Sequence, residues 1–396
     1  MGEIQLPPHW KLVKLGDVCE FIYGKTLPKS QRESGSIPVY GSNGIIDWHN
    51  QAITSTQTIV IGRKGSIGKV NISSIPCFPI DTTYYIDDVK QPCDFYYLYY
   101  TLSRLNLSAL NSSVAVPGLN RNDAYAKVIY LPPLSEQKTI AHTLQTIQKA
   151  KETCQRELEL EREHKAALMQ YLFTHGTHNE PRKQTKVGEI PNSWKVIKLG
   201  QICESSAYGP RFSGNLYNPN GTIATLRTTD IDKDGNINYS TMPFASLELR
   251  KFKTHLIQIK DLLITRSGTC GIAAVFESYN SPVIPGAFLI RFRLNEYAEP
   301  YFLRYYINSH LGRKRITQLA SGAVQKNISG TSLLNWLIPL PTIPEQLKIV
   351  GILRTCDRKI QALEKEIALT DELFHAMLEQ LMTGKISTQP LTETYV

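Results

Sequence analysis

The feature that most constrains this chain is a repeat. The stretch "WKLVKLGDVCE" (Trp10 to Glu20) returns as "WKVIKLGQICE" (Trp194 to Glu204), with seven of eleven positions identical. Three more pairs follow in the same order. "IGRKGSIG" (Ile61 to Gly68) matches "ITRSGTCG" (Ile264 to Gly271). "FYYLYYTL" (Phe95 to Leu102) matches "PYFLRYYI" (Pro300 to Ile307), and "LPPLSEQ" (Leu131 to Gln137) matches "LPTIPEQ" (Leu340 to Gln346). The separation grows from 184 at the first pair to 209 at the last, so the second copy carries about 25 more residues between shared landmarks. A frame spelled twice predicts two copies of one module. Divergent interiors inside that frame suggest that each copy has its own specificity.

After each EQ the chain changes character. Residues 135–173 contain no Pro or Gly, and residues 344–382 contain one Gly and one Pro, both near the start. Ser135 offers an N-cap and Pro344 a first-turn proline, and Gly176 and Gly384 follow each stretch as stop signals. These are two predicted helices of nearly 40 residues, each about 60 Å long at about 1.5 Å per residue. In the second, a 4-3 spacing picks out Ile349, Leu353, Cys356, Ile360, Leu363, Ile367, Thr370, Phe374, Met377 and Leu381, an a/d seam. The first gives Ile140, Leu144, Ile147, Lys151, Cys154, Leu158, Glu161, Lys165, Leu168 and Leu172, a seam with a charged middle. Helices this long seldom pack on one small globule, so the expectation is that the two seams pair with each other.

Ahead of each helix lie short β-branched and aromatic runs broken by Gly, Pro, Asn and Ser, a β-rich α/β (α+β) pattern. The polar, basic stretch Thr174 to Val187 reads as a linker. The expected order is therefore a globule (1–134), a helix (135–173), the linker (174–187), a second globule (188–343), a second helix (344–383) and a tail (384–396). Paired seams would make the helices antiparallel, a coiled-coil spacer with pseudo-two-fold symmetry. The chain carries a net charge of +9, which favours an anionic partner, nucleic acid above all. Two basic heads on a two-fold frame suit duplex DNA, as in dimeric readers of spaced half-sites. No run of 18 apolar residues occurs and the first residues lack a signal-peptide pattern, so no membrane span or secretion is expected. Seven scattered cysteines without a CxxC pair suggest reduced thiols in a cytoplasmic protein and no zinc site.

These residues resemble the DNA-specificity subunit of type I restriction–modification systems. The resemblance covers essentially the whole chain. It rests on the twice-repeated opening, from "Gly2-Glu-Ile" and "Gly188-Glu-Ile-Pro" through the Trp, Leu-Gly and Cys, on "GRKGSIG", on "LPPLSEQ" and "LPTIPEQ", and on the closing "LMTGKI" (Leu381 to Ile386). It implies that each globule is a target recognition domain reading one half of a split, asymmetric DNA target, with the helices fixing the gap. It also implies two methyltransferase subunits as partners and, through them, two restriction subunits. The S-adenosylmethionine, ATP and Mg²⁺ of the linked chemistry would be bound by those partners, and this chain is expected to take no cofactor.

The residues offer no catalytic centre against that reading. No (N/D)PP(Y/F/W) motif or HExxH is present, and "GRKGSIGKV" spaces its glycines wrongly for a P-loop and has Val70 where Ser or Thr is needed. His175 and His178 in "HGTH" lack companion ligands and read as solvated linker residues. The remaining alternatives are a stand-alone DNA methyltransferase or nuclease, and a coiled-coil assembly protein without DNA specificity. In "GRKGSIG" the glycines let backbone approach a partner, while Arg63, Lys64, Ser66 and Lys69 offer donors to phosphates or base edges; Arg266, Ser267 and Thr269 match them in the second copy. The plainer reading is a glycine turn required by the fold. Residues that differ between copies are the candidates for base reading: Tyr23, Lys25, Lys29, Arg32, Tyr40, Ser42, Asn43, Asn120 and Arg121 in the first, and Tyr208, Arg211, Arg227, Thr228, Asp230, Gln325, Lys326 and Asn327 in the second. The opening itself is nearly identical in both copies, so it is expected to be structural, with Trp10 and Trp194 as packing anchors and Leu15, Leu199, Cys19 and Cys203 in the cores.

Overall fold

The computed structural model describes residues 7–110, 118–320 and 327–388. Its helices include α1 (Phe95–Arg104), α2 (Arg121–Tyr125), α3 (Leu134–His175), α4 (Pro300–Asn308), α5 (Gly330–Leu334) and α6 (Ile343–Met382). The chain divides into two units, residues 1–155 with 365–396, and residues 156–364. This differs from the expected run of separate globules and helices. Part of each long helix belongs to each unit, because its seam is buried against the neighbouring globule as well as against the other helix.

The first unit contains a four-stranded antiparallel sheet, ordered Ile22–Tyr23, Thr83–Ile86, Thr58–Gly62, Val70–Ser73. Beside it are Gly44–His49, Ile37–Gly41 and Phe78–Pro79, the last pair parallel. The repeated opening forms the strand Lys11–Lys14, which pairs antiparallel with Val128–Leu131. The second unit repeats this. Its four-stranded sheet runs Cys203–Tyr208, Leu289–Leu294, Leu262–Thr265, Ala273–Val275. Its three-stranded sheet again has one parallel pair, Ile223–Leu226 with Val283–Pro285, and Lys195–Lys198 pairs with Leu337–Leu340. The fold is thus α+β and internally duplicated.

The repeated motifs are explained by hydrogen bonds that recur in both units. Trp10 Nε1 donates to Glu136 Oε2 at 3.0 Å, and Trp194 Nε1 donates to Glu345 Oε2 at 3.0 Å. Gln137 bonds the Pro132 carbonyl (2.8 Å) and the Asp94 amide (2.8 Å); Gln346 bonds the Pro341 carbonyl (2.9 Å) and the Glu299 amide (2.7 Å). The EQ pair therefore clamps each long helix to the opening tryptophan and to the start of the aromatic helix. Satisfying buried polar groups this way leaves little freedom for substitution. Leu15, Leu199 and Cys19 are fully buried, whereas Cys203 is only half-buried against its core. "FYYLYYTL" forms α1, with Tyr97, Leu98, Tyr100 and Leu102 in the interior.

Within the first unit the start of α3 and the end of α6 share a core: Ile140 and Leu144 lie with Leu381, alongside Phe374 and Met377. Within the second, the end of α3 and the start of α6 do so: Leu168 and Leu172 with Ile349 and Leu353. In each unit, then, the two helices run in opposite directions. Of the fourteen apolar seam residues, Ile140, Leu144, Leu158, Leu172, Ile349, Leu353, Leu363 and Leu381 are buried, and Ile147, Leu168, Ile360, Ile367, Phe374 and Met377 are half-buried. The charged seam positions of α3 find opposite charges on α6: Lys151 with Asp371, Glu161 with Lys359 (2.8 Å), and Lys165 with Asp357. Hydrogen bonding to Lys359 holds the Glu161 carboxyl below its ordinary range, and bonding to Lys151 does the same for Asp371.

The expected linker 174–187 needs correction. Helix α3 continues through His175, whose ring stacks on Tyr171 with centroids 4.4 Å apart, and Gly176 closes the helix at φ 67°. Arg182–Thr185 then pairs antiparallel with Gly188–Pro191 as a hairpin. Composition concealed this because the strand is short and one-sidedly polar. In the tail, residues 389–396 lie outside the described residues, as do Gly2, Glu3 and Ile4.

Candidate nucleic-acid interface

Both glycine loops have the same backbone. Gly65 and Gly68 take φ 75° and 73°, and Gly268 and Gly271 take 73° and 82°. Only glycine adopts these angles without strain. A Cβ on Gly68 would also lie 2.4 Å from the Ser108 nitrogen. In each loop the arginine follows the strand end and is held by two backbone bonds. Arg63 N donates to Thr82 O (2.9 Å) and its carbonyl accepts from Leu119 N (3.0 Å); Arg266 N donates to Phe288 O (2.9 Å) and its carbonyl accepts from Ile328 N (2.9 Å). The fold thus brings three separate segments together in both units: a Tyr-Gly strand end, the arginine of the glycine loop, and the segment leading into a short helix.

In the first unit these segments place Tyr23, Arg63 and Arg121 in one cluster. The Arg63 and Arg121 guanidinium carbons sit 5.3 and 5.4 Å from the centre of the Tyr23 ring. Tyr84 lies edge-on to Tyr23 at 5.0 Å and also faces Arg63 at 5.9 Å. Its hydroxyl donates to Leu119 O at 3.1 Å, and burial pushes it up to about 12. Arg63 is braced by a bond to the Asp81 carbonyl (2.7 Å), and Arg121 by one to the Phe21 carbonyl (3.4 Å). The Tyr23 ring is half exposed, so the cluster presents two stacked guanidinium groups and an aromatic ring at the surface. Asn120 caps α2, accepting from Asn122 N at 2.9 Å. Next to the glycine loop is the turn of Ser42 and Asn43. Ser42 Oγ donates to Thr82 O (2.8 Å), and Asn43 Oδ1 accepts from Lys69 Nζ (2.8 Å). Lys25, Lys64 and Ser66 are exposed.

In the second unit the equivalent cluster is Tyr208, Arg266 and Asn327. Arg266 stacks 4.7 Å from the Tyr208 ring centre, and its Nε donates to Asn327 Oδ1 at 3.2 Å. Where the first unit has Arg121, the second has Gly330, whose amide donates to the Tyr208 hydroxyl at 2.6 Å. The frame is shared and the polar groups mounted on it differ. One unit has two arginines with a nearby Asn–Lys pair; the other has one arginine with an Asn. Those are the side-chain types that address guanine, adenine and phosphate.

Several candidates do not join these clusters. Tyr40 is buried among Val60, Cys77 and Tyr85, and its hydroxyl donates to Ile72 O at 3.3 Å; it is a core residue. Arg32 is folded back onto Asp47 (3.0 Å) and the Leu27 carbonyl. Asp230, 1% exposed, accepts from Arg227 and from Thr241 Oγ1 (2.8 Å), so it and Arg227 stabilise a turn. Ser267 is buried beside Asn327. Each was chosen as a polar or aromatic residue in a loop-like stretch, and tertiary partners claimed it. Lys29, in a turn at Lys29–Gln31, and Arg211 are exposed, Thr228 is half-buried, and Thr269 is exposed with its carbonyl accepting from Thr265. Gln325 and Lys326 lie outside the described residues. Sequence reasoning missed Tyr84 and Gly330. Tyr84 sits in an ordinary strand pattern, and Gly330 has no side chain to mark it; only alignment of the two copies through their N-caps, Asn120 and Ser329, pairs Gly330 with Arg121.

Duplicated α+β units, each with a loop-borne arginine–tyrosine cluster on a shared frame, define an internally repeated protein with two candidate recognition surfaces. The family model for the type I restriction modification DNA specificity domain matches residues 7–162 and 191–370, and the chain belongs to that family. The specificity subunit of the type I restriction enzyme MjaVIII of Methanocaldococcus jannaschii is 25% identical over 422 residues, covering 99% of this chain and 96% of its own. The EcoKI specificity subunit of Escherichia coli is 21% identical, covering 98% and 92%. The fold matches that of the crystallised type I S subunit of M. genitalium with a TM-score of 0.65 at 16% identity, covering 96% of this chain and 97% of the other.

Proposed function

We propose that this chain is the DNA-reading, non-catalytic subunit of a type I restriction–modification complex. Each unit reads one half of a bipartite, asymmetric duplex target. The long helices set the gap and offer the surface on which two methyltransferase subunits assemble, with two restriction subunits joining through them. S-adenosylmethionine, ATP and Mg²⁺ belong to those partners. The observation that carries the reading is the recurrence of one loop frame, Tyr-Gly, arginine glycine-loop and helix cap, furnished with different donors in the two units. A single duplicated frame with identical donors would read a palindrome; Arg121 against Gly330 argues for unlike half-sites.

The test is footprinting of the assembled subunit and methyltransferase on DNA. Two short protected patches flanking an unread gap are expected. One continuous patch, or protection without sequence preference, would overturn the proposal. Methylation by the purified chain alone would favour a stand-alone methyltransferase instead.

A further inference from the structure

A constellation in the second unit lies on the two long helices, outside the loop clusters of the candidate interface. Glu161 and His164 stand three residues apart on α3, and Cys356 faces them from α6. One donor atom from each lies within 4.8 Å of the others. Glu161 is 8% exposed and Cys356 6% exposed, while the His164 side chain is 62% exposed and leaves a path from solvent. Glu161 Oε1 is 3.5 Å from His164 Nδ1, and its other oxygen meets Lys359 Nζ at 2.8 Å.

The internal repeat shows that the fold does not demand these residues. The 209-residue shift that relates the long helices carries Glu161 to Thr370, His164 to Leu373 and Cys356 back to Ile147. The first unit therefore packs its seam without any of the three donors. Where the first unit has Thr370, Leu373 and Ile147, the second has a carboxylate, an imidazole and a thiol that converge. A carboxylate–x–x–histidine pair on one helix completed from a facing helix is a general way to build a metal site inside a helix pair.

We propose that Glu161, His164 and Cys356 bind a borderline-soft divalent metal, zinc foremost, which cross-links α3 and α6 within this unit. Oxygen, nitrogen and sulfur donors in one set suit Zn²⁺, with bonds of about 2.0 to 2.3 Å and a fourth position left for water. On binding, the Cys356 thiol gives its proton to solvent and coordinates as thiolate, His164 binds as neutral imidazole, and the Glu161 carboxylate exchanges its Lys359 partner for the metal. The three ligands lie within one and the same unit, so the site does not depend on DNA or on partner subunits. Its sulfur comes from an isolated cysteine, which is why no CxxC spacing announces it.

The experiment titrates the full-length chain with Co²⁺, then Zn²⁺. One equivalent of Co²⁺ is expected, with a thiolate-to-metal charge-transfer band that Zn²⁺ abolishes, and Zn²⁺ is expected to raise the melting temperature. Cys356→Ser should remove the band and weaken Zn²⁺ binding by more than about 100-fold, since even supporting residues commonly cost 10- to 100-fold. His164→Ala should weaken it similarly. Lys359→Ala, which removes the competing ammonium, should tighten Zn²⁺ binding about two- to fivefold, the scale of an exposed ion pair. A double His175→Ala, His178→Ala variant should bind normally. Absence of stoichiometric binding, or binding that survives Cys356→Ser or is lost with the two linker-side histidines, overturns the proposal.

Discussion

The two tryptophan clamps look alike but should differ in strength. Glu345 is 3% exposed, and its two oxygens have separate duties: Oε2 accepts from Trp194 Nε1 (3.0 Å), and Oε1 accepts from the Thr177 amide (2.9 Å) and hydroxyl (3.4 Å). In Glu345→Gln one oxygen becomes an NH₂ group, so one buried N–H loses its acceptor and meets another donor. An unsatisfied buried donor costs about 1–3 kcal/mol, and loss of a charged acceptor lies toward the upper end. Glu136, its counterpart, is more exposed. Its partners are Trp10 Nε1 (3.0 Å) and the exposed His9 ring (2.6 Å). In Glu136→Gln the remaining oxygen can keep Trp10 while the NH₂ faces the exposed His9 ring and solvent, so the cost should stay below about 1 kcal/mol. At about 2–4 °C per kcal/mol for units of this size, a cost of about 2–3 kcal/mol means that Glu345→Gln should lower the melting temperature of its unit by about 4–12 °C, and Glu136→Gln by under about 4 °C. Urea unfolding followed by tryptophan fluorescence gives the free energies, and hydrogen exchange at the Thr177 amide locates the loss. Equal effects, or a larger one for Glu136→Gln, would refute the argument from burial and divided acceptors.

Other consequences are as direct. Arg63→Ala and Arg266→Ala should each weaken DNA binding; if the arginine meets phosphate, the slope of log affinity against log salt falls by about one. Gly330→Ala would put a Cβ 2.8 Å from the Tyr208 hydroxyl and should disturb only the half-site read by the second unit, seen by methylation of targets altered in one half at a time. Exchanging residues 1–134 for those of another family member should change one half-site alone, and adding about four residues to each long helix should lengthen the gap but not alter the half-sites. The carboxyls of Glu161 and Asp371 titrate lower in the folded chain than when unfolded, so their contribution to helix pairing is complete above the unfolded carboxyl range and is lost as pH falls below about 4. Circular dichroism melts between pH 7 and 3 should show that loss, and Lys151→Ala should reduce it.

Sequence by itself determined the duplication, the α+β class, the two long helices and their seams. Those signals are periodic or repeated, and they survive without knowledge of what touches what. It also placed Tyr23, Arg63, Arg121, Tyr208, Arg266 and Asn327 among the candidates, because arginine and asparagine beside glycine turns are chemically conspicuous. Tertiary structure decided which polar loop residues remain available. Tyr40, Arg32, Asp230 and Ser267 had the same local appearance as Tyr23 and Arg63, but a core, an aspartate, a turn and a strand bridge had claimed them. It decided too that Gln137 and Gln346 are clamps, and that Glu161, His164 and Cys356 meet. Pairing across 190 or so residues depends on how two helices face each other, and neither the spacing nor the composition of one segment carries that information.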